Sequence, residues 1–361
     1  MTRFGMALVI VLVSPALLFA QVSQSSTVSD SLVSAAVIHS LDDSAIAAAS
    51  RLTFAMPGAF AQQSAPQASK TGKSGDSTDQ PPIEGSMVGY IDDAVVGSEI
   101  RTRFDAAFDD NNPDRAEFFY AECGCDSSTA RGPNGLVKAL NFEQLYLTGE
   151  FAPAKRLSFL VDVPLRWIQP QAFVAGSGSF TNQGGISDVQ AGFKFAAVAA
   201  HREYLTFQFV ASFPSGNSTE GLGTAHYSVM PSLLYFQRVT DRFSFEGQLG
   251  DTHPIGGDTP GFTGDVLDYG VGPSYELYRG ENVRFAPVLE LVGWKVLGGM
   301  QTSFIPAWSI TSTDGYNIVN MKAGARTSIG NHTSFYLGFG QALTHEIWYK
   351  HIIRLEYRYS F

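Results

Sequence analysis

Residues 352–361 read IIRLEYRYSF, and from Ile353 onward apolar and polar side chains alternate. Ile353, Leu355, Tyr357, Tyr359 and Phe361 fall on one face, and Arg354, Glu356 and Arg358 on the other. A period of two with unlike faces is that of a β-strand covered on one side by apolar matter. Further stretches of the same kind run back through the chain. Twelve can be laid out, at residues 98–109, 138–151, 157–167, 185–199, 204–213, 226–237, 243–250, 265–277, 283–294, 316–328, 333–341 and 348–361. The apolar face carries Ile100, Phe104 and Phe108 in the first, and Phe159, Val161, Val163, Leu165 and Trp167 in the third. Leu205, Phe207, Phe209 and Phe213 continue it, as do Leu267, Tyr269, Val271 and Tyr275. The stretches at 138–151, 185–199 and 226–237 alternate less cleanly.

Alternation alone fits both a soluble sandwich and a membrane barrel, since each has one apolar and one polar face. The connections separate the two. Short ones (APAKR, AHRE, RVTDR, YRGEN, GNH) alternate with long ones, chiefly 110–137, 168–184, 251–264 and 295–315. Short turns on one rim and long loops on the other, with an even strand count, describe an outer-membrane barrel. Lipid offers no hydrogen-bond partners, so such strands must close into a cylinder. The expected fold is all-β: a transmembrane antiparallel up-and-down β-barrel of about twelve strands over residues 96–361, preceded by a disordered N-terminal leader. The terminal Phe361 is similar to the aromatic signal that the barrel assembly machinery reads on the last strand of bacterial outer-membrane barrels. That resemblance implies a Gram-negative-type outer membrane.

Composition agrees. Charged residues make up 16% of the 361, against about 25% in an average soluble domain. Glycine (36), Phe (27) and Tyr (14) favour strands and turns. A formal charge of −10 argues against a nucleic-acid partner, which demands a basic patch. Residues 1–20, MTRFGMALVIVLVSPALLFA, read as a secretory signal peptide. Residues 21–95 are rich in Ser and Ala and read as a periplasmic leader, mostly disordered. Cys123 and Cys125 then meet an oxidising compartment, as a loop bridge or as two idle thiols.

GYIDDAVVGSEIRTRFDAAFDDNNPDRAEFFY (89–120), GGISDVQAGFKFA (184–196), LTFQFVASFPSGN (205–217), GLGTAHYSVMPSLLYFQRVTDRFSFEGQL (221–249) and YGVGPSYELYR (269–279) carry a family resemblance. The chain from about residue 88 to 361 resembles the MetA-pathway of phenol degradation family. Its parts here are Gly185, Asp188, Gly192 and Lys194, then Pro214 and Gly216, then Gly221, Gly223 and Thr224. The resemblance implies an outer-membrane channel, in some members linked to uptake of aromatic or other hydrophobic compounds, and brings no catalytic residues.

Several constellations have residue types that chemistry uses. His226 and Ser228 are spaced as in outer-membrane lipid hydrolases, which also need a third polar group to orient the His. The next strand-turn offers only Val239, Thr240 and Asp241 at the opposite rim, so polar lumen residues are expected. Asp109, Asp110, Asn111, Asn112 and Asp114 are hard oxygen donors without the EF-hand spacing, and read as solvated external loop. Glycines 221, 223, 270 and 272 precede no helix and read as bulges or tight loops. No catalytic residue, metal or cofactor is assigned.

The polar face supplies the candidate lumen lining: Arg101, Arg103, Asp162, Arg166, Glu246, Arg284, Glu290, Lys322, Arg326, Arg354 and Glu356. Charges of both signs there should cross-link the interior, and a mixed lining predicts weak ion selectivity. The function expected is passive diffusion of small solutes, aromatic or hydrophobic ones among them. Its partners would be outer-membrane lipid, the solutes and the assembly machinery. The alternative is a structural or adhesive barrel that binds an external partner through its long loops.

Overall fold

The computed structural model describes residues 86–361 except Asp126, 258–260 and 305–307. The expected signal peptide, and the leader up to residue 85, lie outside the described residues. Twelve strands form the wall: β1 (Glu99–Asp110), β2 (Val137–Ala154), β3 (Leu157–Phe173), β4 (Val189–Ala200), β5 (Glu203–Phe213), β6 (Tyr227–Arg238), β7 (Phe243–Ile255), β8 (Val266–Tyr275), β9 (Val283–Val296), β10 (Asn317–Ile329), β11 (Thr333–Ala342) and β12 (His351–Ser360). Each pairs antiparallel with the next. β12 returns to β1, with Glu99 opposite Ser360 and Phe108 opposite His351, so the cylinder is closed.

The wall is inside out relative to a soluble protein. Ile100 (56% exposed), Phe159 (52%), Leu289 (49%) and Leu337 (58%) face outward, whereas Asp105, Glu290, Arg326 and Glu356 are buried. An apolar belt around a polar interior is the arrangement hydrocarbon demands. The five short connections, such as 155–156 and 330–332, share the rim that holds Glu99 and Ser360, and the long loops share the other.

The structure extends the expected strands at the long-loop rim. β3 runs to Phe173 and β7 to Ile255, so 168–173 and 251–255 are wall rather than loop. β4 starts at Val189, not 185. The preceding Gln183–Ile186 pairs on its own with Leu165–Ile168, and the chain breaks where Asp188 accepts the N–H groups of Gly216 (3.0 Å) and Thr224 (2.8 Å). The 295–315 loop folds into a hairpin, Met300–Phe304 with Trp308–Ser312.

The leader boundary at residue 95 needs correction. Residues 86–97, SMVGYIDDAVVG, lie inside the barrel as an irregular re-entrant segment, held by the backbone and side-chain bonds described below. Ser86 and Gly97 both line a cavity of about 450 Å³ at the short-turn mouth, while Tyr90 reaches the mid-barrel residue Lys322. Gly270 and Gly272 of β8 mark neither bulge nor loop. They make room, since a Cβ on Gly272 would stand 2.9 Å from Val88 Cγ1, and one on Gly270 3.1 Å from Ile91 Cγ1.

The uneven alternation of β2 has a related cause. Leu140 and Phe142 point inward because the long loop after β1 fills the outer mouth with Phe119 and Tyr120. At that level the lumen is packed rather than wet.

Candidate functional site

The lumen holds two inserts that meet in an aromatic layer. From the short-turn side, the 86–97 segment is bound chiefly through its backbone. Glu290 accepts the N–H groups of Gly89 (3.2 Å), Tyr90 (2.8 Å) and Ile91 (2.9 Å). Arg326 donates to Met87 O (3.1 Å) and Val88 O (2.6 Å), and Arg354 to Gly89 O (2.6 Å). Asp92 N donates to Gln248 Oε1, Gln208 Nε2 donates to Asp92 Oδ2, Thr206 donates to Ala94 O, and Arg358 pairs with Asp93. These partners come from β5, β7, β9, β10 and β12, most of the circumference.

From the other side, residues 111–125 enter the mouth. Ala116 and Glu117 adopt positive φ (48° and 53°), which turns the chain sharply inward. Arg166 donates to Phe119 O (2.7 Å) and its guanidinium lies 4.0 Å from the Phe119 ring centroid. Arg115 donates to Gln301 Oε1 (3.2 Å) and Ile347 O (3.0 Å). Cys123 and Cys125, left open by the sequence, are joined by a disulfide. Phe119 packs on Phe142 at 4.6 Å and Trp348 on Trp294 at 5.0 Å, and Tyr90 of the first insert closes the layer from below.

Asp110 and Asp114 are therefore not solvated: each is 1% exposed. Asp110 Oδ1 accepts from Asn112 N, and Asp114 Oδ2 from Cys123 N (3.4 Å) and Thr302 N (3.3 Å), contacts that brace the loop. Burial pushes the Asp114 carboxyl up to about 6, against the hydrogen bonds that pull it down. Its native value exceeds the ordinary 3.8, so the seated loop holds the proton more tightly than a released one. Docking is then strongest in acid and weakens as the pH rises from about 4 through about 6. We expect amide-exchange protection at Cys123 and Thr302, corrected for intrinsic rates, to fall by about tenfold or more between pH 4.5 and 7. Asp114→Asn should flatten that profile, and an unchanged profile in this variant would contradict the assignment.

The eleven lumen candidates all lie on the inner face. Arg101, Arg103 and Arg284 are half-buried and the other eight buried. The expected cross-linking is present: Arg354 grips Asp105 bidentately (2.6 and 2.7 Å), Arg326 and Arg358 share Glu356 (2.8 and 3.2 Å), and Lys194 meets Glu150 (2.8 Å). Arg103 adds a longer contact to Asp105 (3.6 Å), Arg284 one to Glu276 (3.8 Å), and Asp162 accepts from Thr148 (3.1 Å). The structure thus divides the set. Glu290, Arg326 and Arg354 hold the inner insert and Arg166 the outer one, while Arg103, Asp162 and Glu356 brace the wall. Sequence reasoning missed the inserts' own residues, Tyr90 and Asp93, with the layer residues Trp294, Trp348 and Tyr349. Inward-facing glycines at 270 and 272 were the available signal.

His226 and Ser228 face the lumen and line a cavity of about 70 Å³ with Glu117. The third polar group comes from the outer insert, since Glu117 Oε2 is 3.5 Å from His226 Nδ1. His226 Nδ1 is also 2.9 Å from Thr224 O, and no hydrogen bond joins it to Ser228 among the described residues. Burial lowers the His226 pKa, which favours the neutral ring.

No family model and no curated protein sequence matches the chain. Among solved structures it is similar to the COG4313 outer membrane channel from Pseudomonas putida F1, at 16% identity and a TM-score of 0.47, over 74% of this chain and 96% of that one. It is also similar to the β domain of the Bordetella autotransporter BrkA (12%, TM-score 0.45, 73% and 100%) and to the KdgM porin (11%, 0.36, 73% and 99%).

Proposed function

We propose that this protein is an outer-membrane channel for passive diffusion of small solutes, aromatic or hydrophobic ones among them. The observation that carries the reading is that a polar, charged lumen is occupied by two segments that contribute no strand to the wall and are tied to it largely by hydrogen bonds. About ten bonds to the inner insert, at a net of about 1 kcal/mol each, stand against about 1–2 kcal/mol per residue for ordering its backbone. Burial of Met87, Val88, Ile91 and Val96 tips a near balance toward docking. A segment so poised exchanges between seated and released forms and gates the passage. On this reading the belt meets outer-membrane lipid, the last strand meets the assembly machinery, and no chemical step is required.

Purified protein in liposomes tests it with a panel of aromatic, sugar and fatty-acid solutes. Flux of at least one class above empty vesicles is expected. Glu290→Ala, which strips the acceptor from three insert N–H groups, should raise that flux several-fold. Flux equal to empty vesicles for every solute, in both forms, would remove the channel. The occupied lumen would then favour the structural or adhesive barrel.

A further inference from the structure

Tyr90 is held as a ring rather than as a tyrosine. Lys322 Nζ lies 3.9 Å from its ring centroid and Arg354 Cζ 4.2 Å, and Tyr336 meets it edge-on at 6.0 Å and 81°. Its Oη is buried and has no hydrogen-bond partner among the described residues. The surroundings thus recognise a π face and ignore the hydroxyl.

Two buried cations of the wall, Arg166 and Lys322, have no carboxylate within 4 Å among the described residues, and Arg166 donates instead to the carbonyl of Phe119 at 2.7 Å. Lys194, Arg326, Arg354 and Arg358 each have a carboxylate within 4 Å. Lys322 donates to Tyr349 Oη (2.7 Å) and faces the rings of Tyr90, Trp294 and Tyr349, at 3.9, 5.3 and 5.3 Å. Among the described residues no carboxylate lies within 4 Å of its Nζ. Ring quadrupoles and one phenol compensate a desolvated ammonium only partly. Its cross-strand neighbour Glu290 is turned to the N–H groups of residues 89–91, so an anion delivered to this point would be the first carboxylate in contact with the amine.

The geometry points to a binding site for a small aromatic acid, whose ring takes the position of Tyr90 beside Lys322 and Arg354 and whose carboxylate supplies the anion that Lys322 lacks. Tyr90 is then a tethered competitor, and a solute of this class docks by displacing it. A neutral aromatic satisfies only the ring contacts, and an aliphatic acid only the charge. The proposal deepens the channel reading and rests on it for the route by which the solute arrives.

Benzoate is the probe. It is titrated into the full chain in detergent micelles, with Trp fluorescence as readout, since Trp294 and Trp348 belong to the layer around the site. Heat-dependent gel mobility verifies the fold of each variant. Tyr90→Ala should bind benzoate about tenfold or more tightly than the unaltered chain, because the intramolecular occupant is gone. Benzyl alcohol and cyclohexanecarboxylate should each bind Tyr90→Ala at least about tenfold more weakly than benzoate. Lys322→Met in the same background should lose benzoate binding. Equal affinity in Tyr90→Ala and the unaltered chain, or equal binding of cyclohexanecarboxylate and benzoate, overturns the site, and both comparisons stand even if the Lys322 variant fails to fold. Binding is read without a membrane. Absent flux with binding intact removes the channel alone, and absent binding with flux intact removes the site alone.

Discussion

Deleting residues 86–95 from the chain is expected to raise ion conductance in a planar bilayer by about tenfold or more, with the barrel still folded. Tenfold corresponds to a seated insert favoured by only about 1.4 kcal/mol. The segment contributes no strand to the cylinder, and β1 begins beyond it at Glu99, so the wall keeps its pairing. Removal clears Tyr90 from beneath the aromatic layer and exposes Glu290, Arg326 and Arg354 to water. The outer insert then sets the remaining barrier. Because Asp114 loosens that insert as the pH rises, the deletion variant should conduct better at pH 7 than at pH 4.5. Conductance unchanged from the full chain would show that residues 86–95 do not obstruct the passage.

Arg354→Ala should cost about 3–5 kcal/mol of stability, the usual effect of stripping one partner from a buried ion pair. Arg354 serves two structures at once, with Nε and Nη2 on Asp105 and Nη1 on Gly89 O. Its loss leaves Asp105 buried with only the longer contact from Arg103, at 3.6 Å. The measurement is the urea midpoint of protein folded into lipid vesicles. The double variant Arg354→Met/Asp105→Leu should recover most of the loss, since it removes both members of the buried pair and leaves Arg103 on the Tyr146 ring at 3.8 Å. A single variant that loses less than about 1 kcal/mol would mean that water reaches Asp105 and the pair behaves as a surface one.

The wall was legible in sequence because each strand must satisfy two solvents at once. Ile353, Leu355 and Tyr357 against Arg354, Glu356 and Arg358 cannot be read as anything but two faces. The lumen's contents were not legible, for a different reason. Glu290, Arg326 and Arg354 grip residues 86–91 through peptide N–H and C=O groups, which every residue possesses, so SMVGYIDD carries no pattern that announces its partners. Where the insert does use side chains, the mark sits on the wall. Glycines 270 and 272 leave space for Val88 and Ile91, and Glu290 has no opposite charge beside it on β9. The outer mouth misled in the opposite way. Asp110 and Asp114 look like solvated loop because acidic residues usually are, yet the fold spends them on bracing Cys123 and Thr302.

The inner insert also bears on how the cylinder is assembled. The β1–β12 joint connects the two ends of a wall more than 250 residues long, and bringing such distant partners together carries the largest loop-closure entropy in the barrel. Residues 89 and 93 contact Arg354 and Arg358 of β12, and only a few residues separate them from Glu99. Once the insert is seated, the first strand is already tethered beside the last. Seated in this way, the segment shortens the span of chain over which the two edges of the cylinder have to meet.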